Sequence, residues 1–174
     1  MNFQDVERLD QRWTTRLTLK GDHGLLSKAA AVFAHSGDSW FWLFGLAALA
    51  IFRTGFWRAW ALQMILVVLV AAALVLGLKF TFRRRRPEGT WGDVYRRADP
   101  HSFPSGHAAR AVLLAVLAGG WGPAWLVPVL LIWAPLVMLS RIALGVHYLS
   151  DIVAGALLGL LLGAAAILLI PPPM

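Results

Sequence analysis

The chain has 174 residues, 59% of them hydrophobic and 14% charged, where a soluble domain carries about 25% charged residues. One bilayer crossing takes about 20 apolar residues, and this supply fills roughly five. A soluble single-core domain and a disordered chain are both excluded on these grounds, and the length fits one domain. Without cysteine there is no disulfide framework, thiolate metal site or cysteine nucleophile. The net charge of +7 suits an anionic partner, which for a membrane protein includes lipid headgroups.

Residues 1–20 lack the apolar core of a secretory signal. Phe3, Val6, Leu9, Trp13 and Leu17 recur at three- and four-residue steps, with Gln4, Asp5, Glu7, Arg8, Gln11 and Arg12 between them. That spacing predicts an amphipathic helix lying in the membrane interface. Residues 21–174 then form a single transmembrane domain. Leu25 to Ala34 is apolar but short and is interrupted by Lys28, which fits a partial span, a re-entrant helix or an interfacial one.

Five spans follow. Ser39 to Phe52 opens with Trp40 and Trp42 in aromatic-belt fashion, and Trp57 to Phe82 is long enough to cross completely. Arg83 to Pro104 is a polar loop. Ser105 to Gly120 is the next helix, broken by Gly119, Gly120, Gly122 and Pro123. Trp125 to Leu139 carries Pro128 and Pro135, and Leu149 to Ile170 is stopped by three prolines. The expected fold is all-α, a polytopic transmembrane helical bundle of five spans plus a short sixth helix near residue 30.

Ionisable residues near membrane depth are costly and mark function, and here they gather. Lys79 and Arg86 lie at and beyond the end of one span, His107 at the start of the next, and Arg141, His147 and Asp151 between the last two. Following the chain back and forth from residue 57 brings all three places to one side of the membrane. Lys79 and Arg86 are seven apart, two turns of a continuing helix with Arg83 between them, which suits an anion with several oxygens. Arg83 to Arg86 also fits a basic anchor at the membrane boundary. Nucleic acid is a poor partner for this run, since no soluble domain presents it.

In Pro104-Ser105-Gly106-His107, Ser105 is a candidate helix cap and Gly106 lets backbone approach a ligand. His147 and Asp151 are four apart, so on a helix the carboxylate accepts the imidazole N–H and leaves the other nitrogen as a nucleophile. A His–Asp pair that only caps a helix is the plainer alternative. No metal is expected, because there is no His-Glu-x-x-His and too few carboxylates converge. His23, His35 and His101 have no comparable partners and are read as structural.

Lys79-(six residues)-Arg86-Pro87, then Pro104-Ser105-Gly106-His107, then Ser140-Arg141-(five residues)-His147-(three residues)-Asp151 resemble the three signature motifs of the type 2 phosphatidic acid phosphatase superfamily. That superfamily also includes bacterial acid phosphatases and vanadium haloperoxidases. The resemblance covers residues 79 to 151, with all three motifs intact and in order. It implies a helical bundle, commonly of six helices in membrane-bound members, and hydrolysis of a phosphate monoester or diphosphate without metal or other cofactor.

By position, His147 resembles the nucleophile that forms a phosphohistidine, and Asp151 the residue that orients it. Lys79, Arg86, Arg141, Ser105 and the Gly106 backbone resemble the phosphate cradle. His107 resembles the acid that protonates the leaving oxygen and returns as base for water. Ser140 has at most a supporting role, and Arg83, Arg84 and Arg85 are not fixed by the pattern.

The motif residues sit at the mouths of spans, so the expected substrate is a lipid phosphate of the phosphatidate, phosphatidylglycerophosphate or undecaprenyl diphosphate class. A catalytically silent scaffold or transporter is the alternative. Trp91 and Tyr95, in the long loop, are the candidates for contacts beyond the phosphate. Gly155, Gly159 and Gly163 allow close helix approach, either to a neighbour in the same chain or across a homodimer. If the helix near residue 30 crosses, Arg8, Arg12, Arg16 and Lys20 lie opposite the site, beside Arg53 and Arg58. The positive-inside rule then places the site of this multi-pass cell-membrane protein on the extracytoplasmic face. If that helix does not cross, the argument reverses. Six crossings and an outward site are the expectation.

Overall fold

The computed structural model describes residues 3–19, 24–88 and 99–174; Lys20, His23, Trp91 and Tyr95 lie outside them. The described residues form seven helices: α1 (Phe3–Leu17), α2 (Leu25–Ser36), α3 (Ser39–Phe52), α4 (Phe56–Phe82), α5 (Gly106–Trp121), α6 (Leu126–Ala143) and α7 (Leu149–Leu169). Three of them, α4, α6 and α7, are long and apolar enough to cross a membrane. α3 is apolar but has 14 residues.

The bundle is organised around α5, which packs most extensively on α7. A Cβ on Gly155 would collide with the Ser105 carbonyl, one on Gly159 with the Ala109 carbonyl, and one on Gly163 would come within 2.7 Å of Val116. The glycine stripe is therefore spent inside the chain, where it lets the α5 and α7 backbones touch. That approach sets the start of α5 against the start of α7, and the Ser105 N–H donates to the Asp151 carbonyl at 3.0 Å. The opposite end of the bundle holds the main apolar core, with Trp60, Met64, Leu113, Leu117 and Trp121 buried together.

α2 and α3 behave as one path with a break. Ala30 and Ala34 of α2 pack on Leu144 and Val146 beyond α6, at the end that carries the motif residues. Leu46 and Ala50 of α3 belong to the core at the other end. Two residues, Gly37 and Asp38, separate the helices. A Cβ on Gly37 would lie 2.8 Å from Val137 and 3.0 Å from His107, so only glycine lets the break press this close. Ser36 secures it: its carbonyl accepts from Trp42 Nε1 and its hydroxyl from Trp133 Nε1, both at 2.9 Å.

α1 lies at the end with the motif residues. α2, 12 residues long and so about 18 Å, starts from that same end and reaches the level of His107. The polar residues Asp10, Thr14 and Thr18 of α1 and its exit face the protein. Thr14 Oγ1 accepts from Leu149 N–H and Asp10 Oδ1 from Ser150 N–H, each at 3.0 Å. These are donors that the first turn of α7 leaves free, and α1 caps them. Leu9, Trp13 and Leu17 point outward.

Candidate active site

α4 ends at Phe82 because Arg83 turns left-handed, with φ of 49°. Arg86 thus reaches the cluster by a turn, not by the continuing helix that the seven-residue spacing implied. Residues 99–104 return alongside, with Ser102 N–H donating to the Arg84 carbonyl at 2.8 Å and Arg85 bridging to His101. This return brings Asp99 between two cations. Its carboxylate pairs with Lys79 Nζ and accepts from Arg86 Nη2 at 2.7 Å, and its carbonyl accepts from Arg86 Nε at 2.7 Å. Burial pushes the Asp99 carboxyl up, but the hydrogen bond and charge of Lys79, with the charge of Arg86, hold it below the usual range.

His147 lies in the connection between α6 and α7 and is buried. Arg86 Nη1 stands 3.1 Å from its Nε2 and 2.8 Å from the Val146 carbonyl. A guanidinium only donates, so Nε2 is the nitrogen with the lone pair and Nδ1 carries the hydrogen. Nδ1 lies 3.5 Å from Asp151 Oδ2, within ion-pair distance, but makes no hydrogen bond to it, so the expected imidazole–carboxylate hydrogen bond is not formed. Burial first, then the charges of Arg86, Arg141 and Lys79, push this imidazole well below its ordinary range. The surroundings thus favour the uncharged form of the ring. Arg141, fully buried, comes from the last turn of α6.

Asp151 has more partners than its motif implies. Oδ2 accepts from Tyr148 N–H at 2.9 Å, and Oδ1 from Arg84 Nη1 at 2.7 Å. Arg84 also donates to Asp10 Oδ2 at 2.7 Å and lies over the Tyr148 ring, 4.1 Å from its centre. Asp10 and Arg84 were not identified from the sequence. The four-residue recurrence of Asp10, Thr14 and Thr18 was the available signal.

At the start of α5, Ser105 Oγ accepts from Ala108 N–H at 3.4 Å, as a cap does, and Gly106 lines the adjoining cavity. His107 Nε2 stands 2.8 Å from Asp38 Oδ1, and His35 Nδ1 stands 3.1 Å from Asp38 Oδ2. His107 also lines the adjoining cavity. Asp38 is a third residue the sequence did not reveal. His35, read as unpartnered, belongs to its network. Ser140 is buried and donates to the Val137 carbonyl at 2.7 Å.

A cavity of about 570 Å³ adjoins Lys79, Asp99, Gly106 and His107. Its polar end is Asp38, Lys79, Asp99, His107 and Arg110; its other wall is Val68, Ala71, Ala72, Val75 and Leu76 of α4. Among the described residues, no group of three or more His, Cys, Asp or Glu side chains is arranged to hold a metal ion.

Residues 60–172 match the PAP2 superfamily, a stretch that holds every motif residue. Decaprenylphosphoryl-5-phosphoribose phosphatase of Mycolicibacterium smegmatis is 36% identical over 144 residues, covering 79% of this chain and 74% of that protein. Its namesake in Mycobacterium tuberculosis is 38% identical over 96 residues, 55% of this chain. The match spans about half (52%) of the length of that relative. Undecaprenyl-diphosphatase of Sulfolobus acidocaldarius is 33% identical over 128 residues, 71% of this chain and 60% of its own. Among solved structures, the transmembrane PAP2-type phosphatidylglycerolphosphate phosphatase of Bacillus subtilis superposes with a TM-score of 0.73 at 25% identity. That superposition covers 93% of this chain and 84% of the other. Fold, motif geometry and sequence agree, and the chain belongs to the PAP2 superfamily.

Proposed function

We propose that this protein is an integral membrane lipid phosphatase that works through a phosphohistidine without a metal ion. The cavity carries the reading: one space has Lys79, Arg110 and the His107 imidazole at one end and an apolar wall at the other, the shape of a phosphate on a lipid. Asp99 on its lining holds Arg86, which stands 3.1 Å from His147 Nε2. His147 Nε2 attacks phosphorus, with Asp151 orienting the ring. Lys79, Arg86, Arg141, Ser105 and the Gly106 backbone hold the phosphoryl oxygens as charge develops. His107 gives its proton to the leaving oxygen, then takes one from the water that releases phosphate. The named relatives act on polyprenyl-linked phosphates, which fits the apolar wall.

Phosphate release by detergent-purified protein in excess chelator, across phosphatidate, phosphatidylglycerophosphate and polyprenyl diphosphates, tests this. Chelator-resistant release that His147→Ala reduces to background is expected. Release that survives in His147→Ala sinks the nucleophile assignment.

We count five crossings, with α2 and α3 sharing one, and read α1 as an interfacial helix whose Leu9, Trp13 and Leu17 enter lipid. Because α1 shares the end of the active site, Arg8, Arg12 and Arg16 join that end. The positive-inside argument for an extracytoplasmic site then turns towards the cytoplasm. The chain has no cysteine, so Glu88→Cys at the site's end and Thr54→Cys at the other are clean probes. In intact cells, an impermeant thiol reagent labels Thr54→Cys alone on this reading; labelling of Glu88→Cys alone restores the outward site.

A further inference from the structure

We propose that Arg110 binds a second phosphate of the substrate, on the leaving-group side of the bond that is cut. This rests on the lipid-phosphatase reading above and narrows its substrate class. Arg110 belongs to none of the three motifs. It follows His107 by three residues on α5, which puts it on the same helix face and about 4.5 Å further along the axis. It lines the same cavity as Lys79 and His107, on the way to Val68, Ala71 and Ala72.

A guanidinium beside apolar walls is costly unless a partner compensates it. Arg110 has a single protein partner among the described residues: Nη1 donates to the Gly37 carbonyl. That bond fixes the side chain against the α2–α3 break but supplies no charge. No carboxylate of the described residues lies within ion-pair distance; Asp38, on the same cavity and paired with His107, favours the Arg110 charge only from beyond that distance.

The order of groups along the cavity reads as a substrate. Ser105 and Gly106 stand at the phosphoryl group to be transferred, His107 at the leaving oxygen, Arg110 one turn further, and the apolar wall beyond. A lipid diphosphate has its groups in this order. The bond from His147 Nε2 to phosphorus forms as the bridging P–O bond breaks. The proton of His107 goes to the bridging oxygen, which departs as an oxygen of the lipid monophosphate. Water then cleaves the phosphohistidine, giving inorganic phosphate and restoring His147. The second phosphate stays anionic throughout, and Arg110 is the cation positioned to hold it. A sugar phosphate joined to its lipid by a phosphodiester presents the same chemistry at a longer span. A simple monophosphate ester offers Arg110 nothing.

The test compares farnesyl diphosphate, farnesyl monophosphate and a lipid-phosphoryl pentose 5-phosphate, with the full-length wild type, Arg110→Gln and Arg110→Lys. The wild type is expected to prefer one or both substrates with a second phosphate. Arg110→Gln should lower kcat/KM on the preferred substrate roughly 10- to 100-fold, the range of one charge-assisted hydrogen bond. It should leave farnesyl monophosphate within about threefold, and Arg110→Lys should recover part of the loss. Whichever of the two doubly phosphorylated substrates loses rate identifies the source of the second phosphate. Equal loss on all three substrates means that Arg110 only braces Gly37, and the proposal falls while the phosphatase reading stands. No preference in the wild type overturns it too. Wild-type silence on every substrate removes both.

Discussion

His147 and His107 each face a carboxylate, and the two pairs are built in opposite ways. His147 and Asp151 are four residues apart and essentially inaccessible, with side chains 1% and 0% exposed. His107 and Asp38 are 69 residues apart and remain 16% and 19% exposed. Their proposed work accounts for the contrast. A nucleophile gains from a dry, cation-lined pocket that keeps it neutral, whereas an acid that becomes a base must exchange protons with water. On the proposed reading, it is the difference in access to water that assigns two chemically identical rings two roles.

The largest effect that would sharpen this contrast is at His107. His107→Gln is expected to slow hydrolysis of an alkyl phosphate on the order of 10²–10⁴-fold, the usual worth of a positioned acid. An aryl phosphate, whose leaving group needs little protonation, should lose far less in the first step. Equal losses on both esters would deny His107 the role of acid.

Asp38→Asn acts on the same pair through charge. The carboxylate favours the protonated form of its imidazole partner, so its loss should move the alkaline limb of the kcat profile to lower pH, with about a tenfold fall at pH 7. The acid limb of kcat/KM belongs to His147. Because burial and the surrounding cations hold that ring below its ordinary range, the limb should lie below the usual value of about 6.5. It should stay there in Asp38→Asn. An acid limb that moves with Asp38 would mean that the pairs do not divide the work.

The support behind Asp151 gives a smaller effect. Arg84 bridges Asp151 and Asp10, so Arg84→Ala and Asp10→Asn should each lower kcat by about three- to tenfold, and the double variant by little more than the worse single one. Multiplied effects would separate α1 from the catalytic pair. Last is Asp99, whose carboxylate shares Lys79 and Arg86 with any incoming phosphate. Asp99→Asn should lower KM by about two- to fivefold with kcat little changed; a rise in KM would make Asp99 a supporting residue instead.

These effects also mark where sequence reasoning reached and where it stopped. The nearness of His147 to Asp151 was legible from their four-residue spacing, but not that His147 precedes the helix and stands 3.5 Å from the carboxylate without a hydrogen bond. The glycine stripe showed that α7 approaches a backbone closely, and only the packing shows that the backbone is α5. Asp38 and Arg84 were not legible. Asp38 reaches His107 because α2 and α3 break at Gly37, and nothing in an apolar run interrupted by His35-Ser36-Gly37-Asp38 sets the depth of that break. Arg84 sits among four consecutive arginines, and the left-handed turn at Arg83 decides which of them faces the site. α1 was read by its apolar stripe alone. Its opposite stripe, Asp10, Thr14 and Thr18, is the one that binds the protein, and it fixed the end of the bundle on which α1 lies.

The central claim is that the fully buried ring is the nucleophile and the part-buried one the acid. It is tested most directly by brief exposure of the His107→Gln variant to a ³²P-labelled aryl phosphate, followed by quenching in base and peptide mapping. The aryl ester still forms the intermediate while its hydrolysis lacks a base. The account predicts an acid-labile, base-stable label on the peptide that contains His147, absent when His147→Ala is added. Label that persists in the double variant, or that maps to another residue, would contradict it.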